Sequence, residues 1–496
     1  MDPTSPFIEK HGLWSDDQVR LSVQVQRRVE AENLNLIRLA WADSHGASRA
    51  KAVSVPVFFD SLRHGYNINV ATFTLDASGG RVFASFLKGG GMGLDEMTGS
   101  PNLTIIPDPA TFRILPWAPG VGWILCDLYF DDGCPFHFAP RQLLRHQLER
   151  LGERGQSLLV GLEVEWYLAR LVDDLVQEKN VGEPGIRGQP LKTLPVEPGY
   201  SYHSESNLDI MQPVLTDLFQ TYEQLGFSLR SMENEWGPGQ VECTFSPSDA
   251  IRAADDYILF RTATRQVCRR LGYFATFMCR PGLKGYYSSG WHLHQSVVDK
   301  VNSQNLFTPD ENDLHLSSFG RSFLAGILKH AVPSVVFAVP TINGYRRFRP
   351  NSLAPNRVTW GYDHRGAMVR VLGGVGNPAS RLENRVGEPS ANPYLYIASQ
   401  IIAGLDGVEK NLVPWQPDDD PYTAERPLLP DSLGQALTAL DNDELFRRHL
   451  GELYFEYFVK LKKAELERFE QYQGSVDASA TGEVTEWEQN EYFDFF

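Results

Sequence analysis

Cysteine is scarce and unpatterned in this chain. The five residues Cys126, Cys134, Cys243, Cys268 and Cys279 are odd in number, and none forms a CxxC pair. That argues against a disulfide framework or a zinc ribbon, so reduced thiols in a cytoplasmic protein are expected. Long apolar runs are missing as well. The most apolar stretch, residues 331–339, is short and carries Pro333, far below the length that spans a bilayer. The opening MDPTSPFIEKHGLW lacks the basic-then-apolar order of a signal peptide. Basic excess is absent: the formal net charge is −16 and no lysine–arginine stripe offers a nucleic-acid footprint. Neither a membrane nor a nucleic acid is an expected partner. No Walker-type glycine loop occurs, so phosphate would have to be held by metal ions and arginines.

A hydrophobic fraction of 42% over 496 residues supports a sizeable core and about two to four domains. Helical spacing predicts a helix over 15–33, followed by an alternating strand in LIRLAWAD. SVPVF, FTLDA, VFASF, LTIIPD and WILCDLYF read as further short strands between Gly- and Asp-rich turns. The helix APRQLLRHQLERLGERG opens a second, larger region, with Pro140 near its start where the missing N–H is tolerated. Residues 180–207 and 413–432 read as loops, 433–469 as helical, and VTEWEQNEYFDFF as a final amphipathic helix. No internal repeat is visible.

Four segments of the larger region place charged or imidazole side chains two residues apart in strand-like or hairpin sequence. They are Glu163 and Glu165 in GLEVEWYL, His292 and His294 in GWHLHQSV, and Arg381, Glu383 and Arg385 in SRLENRV. The fourth is the hairpin ENEWGPGQVECTF, turned by Gly-Pro-Gly between Glu235 and Glu242. Residues two apart on a strand share a face. A single such pair is most simply a solvated strand face; four in one chain point to chemistry. Glutamate and histidine suit Mg²⁺ or Mn²⁺, and two such ions can neutralise a transferring phosphoryl group. Arg347, Arg365 and Arg370 form a second group in NGYRRFRPNSLAPNRVTWGYDHRGAMVRV, suited to bidentate contact with phosphate and carboxylate.

In this order, GLEVEWYL, EWGPGQVE, GWHLHQS, NGYRRFRPNSLAP and RLENR with ANPYLYIASQIIAGLDG resemble the glutamine synthetase superfamily. The resemblance implies an α+β fold: a leader over 1–19, an N-terminal β-grasp domain over 20–136, and a catalytic domain over 137–496 whose antiparallel strands form a barrel-like funnel. It implies ATP, two or more Mg²⁺ or Mn²⁺ ions, L-glutamate and an amine. It also implies a homo-oligomeric ring, possibly a dodecamer, with sites at subunit interfaces. Carried over residue by residue, Glu165, Glu235 and Glu242 would hold one metal and Glu163, His292 and Glu383 the other. Arg347 and Arg385 would bind the glutamate carboxylates beside His294. Arg365 would meet the transferring phosphate, and Arg370 and Arg381 the nucleotide phosphates. The implied reaction makes a γ-glutamyl phosphate that an amine attacks.

The match breaks at the ammonium site. Where ammonia-using members carry a flap glutamate before the Ala-Pro, this chain has Leu353, and an N-terminal aspartate position falls on Lys88. An ammonium ion entering a dry site needs a negative partner, and neither residue supplies one. A neutral, weakly basic amine needs no such partner. The pattern is therefore similar to the γ-glutamyl-amine ligase branch, γ-glutamylanilide synthetase above all. Ammonia, alkylamines and polyamines remain alternative substrates, and a non-catalytic homologue is disfavoured because all six metal-ligand positions are filled.

Overall fold

The computed structural model describes residues 5–173, 175–310, 315–475 and 483–496. The N-terminal sheet is built from Leu36–Ala42 (β1), Ser48–Ser54 (β2), Tyr66–Asn69 (β3), Asn102–Pro107 (β4), Arg113–Ile114 (β5) and Val121–Tyr129 (β6). Its order is β2-β1-β6-β4-β3, with β5 also against β6. β1 and β6 run parallel and the other neighbours antiparallel, the mixed order expected of a β-grasp sheet. Helix Asp16–Ala31 begins inside the segment read as a leader; a capping box between Ser15 and Gln18 starts it, and Val25 and Val29 are buried.

Three expected strands are absent. SVPVF enters helix Val55–His64, whose first turn contains Pro56 and whose buried Phe58, Ser61 and Leu62 follow helical spacing. Proline at a helix start outweighed the β-branched valines. FTLDA and VFASF form a turn with one isolated bridge, Leu75 to Arg81. There the Asp76 carboxylate accepts from the Ser78 and Gly80 amides at 3.0 and 2.8 Å, local bonds that replace a ladder. The 180–207 loop carries a short strand, Thr193–Pro195 (named β8 below), and gives way to helix Glu205–Leu225. Residues 413–432 hold no regular element. The expected C-terminal helical region is three helices, Leu433–Asp441, Glu444–Leu450 and Glu452–Ser475, and the tail forms Glu486–Tyr492.

The second sheet has ten strands: Gln156–Leu171 (β7), Thr193–Pro195 (β8), Leu229–Asn234 (β9), Gln240–Phe245 (β10), Ser248–Asp249 (β11), Tyr273–Thr276 (β12), Trp291–Asp299 (β13), Trp360–Tyr362 (β14), Val369–Leu372 (β15) and Arg381–Asn384 (β16). The path is β14-β15-β16-β13-β7-β10-β9, antiparallel except β14 with β15. β7 is long enough to pair with five strands, β8 and β10 to β13. Its alternation divides the sheet into two environments. Leu162, Val164 and Trp166 are buried against helices Pro140–Glu153 and Ala250–Arg270, while Glu163 and Glu165 face the other way. Helix Pro393–Glu409, capped by Asn392 and apolar nearly all round, packs behind these helices as a core element.

One buried cluster fastens the N-terminal sheet to the helices behind the second sheet. Arg141 contacts Asp108, Asp127 and Asp255, each at 2.7 Å. Burial alone would raise the Asp108 carboxyl, but Arg141 and Arg145 hold it well below the usual carboxylate range. No helix among the described residues is long and apolar enough to cross a membrane, and all five cysteines are unpaired thiols.

Candidate active site

Strand register brings the sequence-distant pairs onto one face. Glu242 on β10 lies opposite Glu165 on β7, and Glu163 opposite His292 on β13. His294 lies opposite Glu383 on β16, which in turn opposes Arg370 on β15. Glu235 sits just beyond β9, where its N–H bonds the Gln240 carbonyl across the Gly-Pro-Gly turn.

Glu163 is the hub. Its two carboxylate oxygens lie 2.5 Å from His292 Nδ1 and 3.0 Å from His294 Nε2. Glu165 accepts from Gln240 Nε2 and from the Gly290 amide, both at 3.0 Å. Glu383 accepts from Arg370 at 2.9 Å and also from Arg385. Two triads offer one donor atom per residue within 4.8 Å of one another: Glu163 with Glu242 and His292, and Glu163 with His294 and Glu383. The six expected ligands therefore share one face, but Glu163 belongs to both triads, and His294 joins one in place of His292.

The electrostatics separate these groups. Burial, with neighbouring carboxylates adding, pushes Glu242 up to about 10 and Glu235 up to about 8; burial brings Glu165 to about 7 despite Arg347. Burial and Arg385 bring His292 down to about 4. Glu383 is buried and Glu163 half-buried, yet His292 and His294 hold Glu163 below the carboxylate range, as Arg385 and His292 do for Glu383. Such a crowd of opposed shifts on one face is typical of functional sites.

The arginines ring this face. Arg347 ends the short helix Asn343–Arg347, donates to the Arg385 and Val386 carbonyls at 2.9 Å, and approaches His292 Nε2 at 3.3 Å. A Cβ at Gly290 would stand 2.5 Å from the Arg347 guanidinium, so a larger residue there would displace that arginine. Arg381 Nε donates to His294 Nδ1 at 3.1 Å. Exposed Arg365 joins Glu163, His294, Arg370 and Arg381 around a concavity of about 880 Å³. Leu353 is half exposed, and its carbonyl accepts from Arg385. Lys88, an exposed residue that opens the short helical turn Lys88–Gly91, is not among the residues lining that concavity.

Some residues of this neighbourhood escaped the sequence reading. Gln240 and Gly290 fix Glu165 from within quoted motifs. Glu233 faces the concavity beside Arg230 and opposes Glu242 across the hairpin; its i, i+2 spacing to Glu235 was the available signal. Tyr287 donates to the Ser352 carbonyl at 3.3 Å; it comes from a loop, where spacing carries no orientation.

Residues 137–481 match the model of the glutamine synthetase catalytic domain. The chain is 42% identical over 492 residues to a gamma-glutamylanilide synthase of an Acinetobacter species, covering 98% of each. It is 30% identical over 492 residues to a glutamate–isopropylamine ligase of a Pseudomonas species, covering 97% of this chain and 99% of that protein. Among solved structures, one described as a GmaS/ADP complex superposes with a TM-score of 0.74 at 28% identity, over 92% of this chain and 99% of that one. With its sheet order, its carboxylate–imidazole face and these likenesses in agreement, the chain belongs to the glutamine synthetase family of carbon–nitrogen ligases.

Proposed function

We propose that this protein is an ATP-dependent ligase that phosphorylates the γ-carboxylate of L-glutamate and joins it to an organic amine with an apolar body, an arylamine of the aniline type. The observation that carries the amine class is Leu353, whose backbone bonds Arg385 at the rim of a carboxylate–imidazole face where ammonia-using relatives of the resemblance place an acid. The likeness to a gamma-glutamylanilide synthase over nearly the whole chain supports the same reading.

The donor set fits divalent cations: hard oxygens and imidazole nitrogens converge, and carboxyls with raised values await a positive partner. Glu165, Glu235 and Glu242 would hold one ion, and Glu163, His292 and Glu383 the other. Bound Mg²⁺ or Mn²⁺ supplies charge neutralisation for a transferring phosphoryl group. Arg370 and Arg381 hold the nucleotide phosphates, and Arg365, free to swing at the rim, meets the phosphoryl group in flight. Arg347, Arg385 and His294 orient the two carboxylates of glutamate. The amine nitrogen then attacks the γ-carbonyl carbon; the C–N bond forms, the C–O bond to phosphate breaks, and the amine loses a proton. An arylamine arrives neutral near pH 7, so no side chain has to strip it of charge before attack.

The ligase would assemble as a homo-oligomeric ring in which Lys88 meets the site of a neighbouring copy; light-scattering mass tests the ring. The decisive experiment is phosphate release with ATP, Mg²⁺ and glutamate against ammonium, anilines, alkylamines and polyamines. Anilines are expected to give the highest kcat/KM. Equal or better turnover with ammonium defeats the amine assignment while leaving the ligase reading intact.

A further inference from the structure

A second concavity, of about 960 Å³, shares no lining residue with the carboxylate-bearing face. Its wall is assembled from the 46–49 turn after β1, the 176–191 insertion, helix Ala250–Arg270 and the final residues 490–496. Arg49, Arg187, Arg261, Arg265, Arg269 and Arg270 line it, against two acids, Glu183 and Asp494. In a chain of net charge −16, this local balance runs opposite to the whole.

Three of those six guanidiniums are held by backbone carbonyls. Arg49 pairs with Asp43 at 2.7 Å and Arg265 reaches Asp494 at 3.5 Å. Arg187 is anchored by the Ala77 carbonyl, Arg261 by those of Gly46 and Pro389, and Arg270 by that of Gln266. Among the described residues these three make no ion pair with a carboxylate. Burial lowers Arg187 and Arg265; Glu491 and Asp494 raise Arg187 and Asp494 raises Arg265, while Arg49 and Arg265 act against Arg187 and Arg261 against Arg265, and the net direction of both stays down. Like charges sharing a partly dry wall cost free energy that an anion would remove.

The wall is built and not merely a gap beside the tail. Phe495 lies between Arg187 and Arg49, with guanidinium carbons 4.5 and 5.9 Å from its ring centre. Arg265 holds the Phe495 carbonyl at 3.0 Å, and Arg261 is almost fully buried. Planar guanidinium forks fixed this way suit the oxygens of phosphates and clustered carboxylates. We infer that this cavity binds a small polyanion, a phosphorylated or polycarboxylate metabolite, at a site separate from the sheet face. The site lies one strand from that face: β12 follows helix Ala250–Arg270 and pairs Thr276 with Tyr167, two residues beyond Glu165 on β7.

The test titrates the intact, metal-free protein calorimetrically at low ionic strength, with inorganic pyrophosphate in one arm and propane-1,2,3-tricarboxylate in the other. At least one probe is expected to bind, and the stronger arm identifies phosphate or carboxylate as the ligand chemistry. Arg270→Ala, at an exposed residue bonded only within its own helix, should weaken that binding about ten-fold while basal ligase turnover stays unchanged. Arg187→Lys keeps the charge but not the fork and should weaken it less. Arg381→Ala on the sheet face should leave affinity unaltered. Binding of neither probe overturns the inference, as does binding that Arg381→Ala abolishes and Arg270→Ala leaves intact.

Discussion

The backbone carbonyl of Leu353 accepts a hydrogen bond from the Arg385 guanidinium at 3.4 Å, and Leu353 adopts a left-handed φ of 59°. A branched side chain in that region is strained, so the leucine is held in place by its surroundings. The contact sets an apolar side chain beside an arginine proposed to orient glutamate. Introducing an acid there supplies the partner a cationic amine lacks. Leu353→Glu should raise kcat/KM for ammonium about ten-fold or more, within the range of a gained general base, and lower it for anilines. Phosphate release with both amines measures the switch; a folded variant with no gain for ammonium refutes the role given to Leu353.

Tyr287 supports the same segment one residue earlier. Its hydroxyl donates to the Ser352 carbonyl at 3.3 Å, and its amide donates to the Tyr167 hydroxyl at 2.6 Å. Burial and nearby Glu165 push its phenol above the ordinary value, so it remains a neutral donor. Removing the ring frees the segment that carries Leu353: Tyr287→Ala is expected to lower kcat/KM for aniline about ten-fold with the KM for glutamate little changed. Tyr287→Phe keeps most of the activity. An alanine variant with wild-type arylamine kinetics would falsify this assignment.

Metal affinity should depend steeply on pH. In the metal-free protein Glu165, Glu235 and Glu242 are raised to about 7, 8 and 10, so each retains much of its proton near neutrality. A cation must displace those protons, and binding tightens as pH rises, by about ten-fold per unit for each proton released. The stability sign is the reverse of the usual carboxylate case. Charging a group whose folded value lies above its unfolded one costs stability. The metal-free protein is therefore expected to lose stability as pH climbs from the unfolded carboxylate range toward the folded values, and Mg²⁺ or Mn²⁺ to restore it. Calorimetry from pH 6 to 8 in two buffers of different ionisation heat reads the released protons. Affinity that is flat with pH contradicts the shifts.

Much of the catalytic face was legible because a strand has period two. Glu163 with Glu165 and His292 with His294 had to share a side wherever β7 and β13 formed. What spacing left open was register: nothing local says that Glu163 opposes His292 or that His294 opposes Glu383. Ordered motifs resembling a known family supplied that link. Loops supplied no such constraint, and Tyr287 passed unnoticed for that reason. In the N-terminal part the failure was different. SVPVF carries strand-forming residues, yet Pro56 and the spacing of Phe58 with Leu62 committed it to a helix. Asp76 closed a turn where FTLDA suggested a ladder. The arginine cavity was hidden because its members lie in the 46–49 turn, the insertion and one helix, and no window of sequence contains them.

The joint between the two sheets gives the last expectation. Arg141 is buried with Asp108, Asp127 and Asp255, and donates to each at 2.7 to 2.8 Å. Replacing it with methionine fills the volume but leaves three buried carboxylates without their shared cation. Breaking a buried ionic cluster by removing one partner costs about 3–5 kcal/mol, so Arg141→Met should lower the thermal midpoint strongly. Arg141→Lys keeps the charge but cannot span all three acids and should fall between. The acid limb carries a second signature. Asp108 is lowered in the folded state, so its contribution is present above the unfolded aspartate value of about 3.9 and is lost as pH falls through the folded value. The gap in thermal midpoint between wild type and Arg141→Met should therefore narrow below pH 4. A gap that is constant from pH 7 to 3 would show that the loss is one of packing rather than charge.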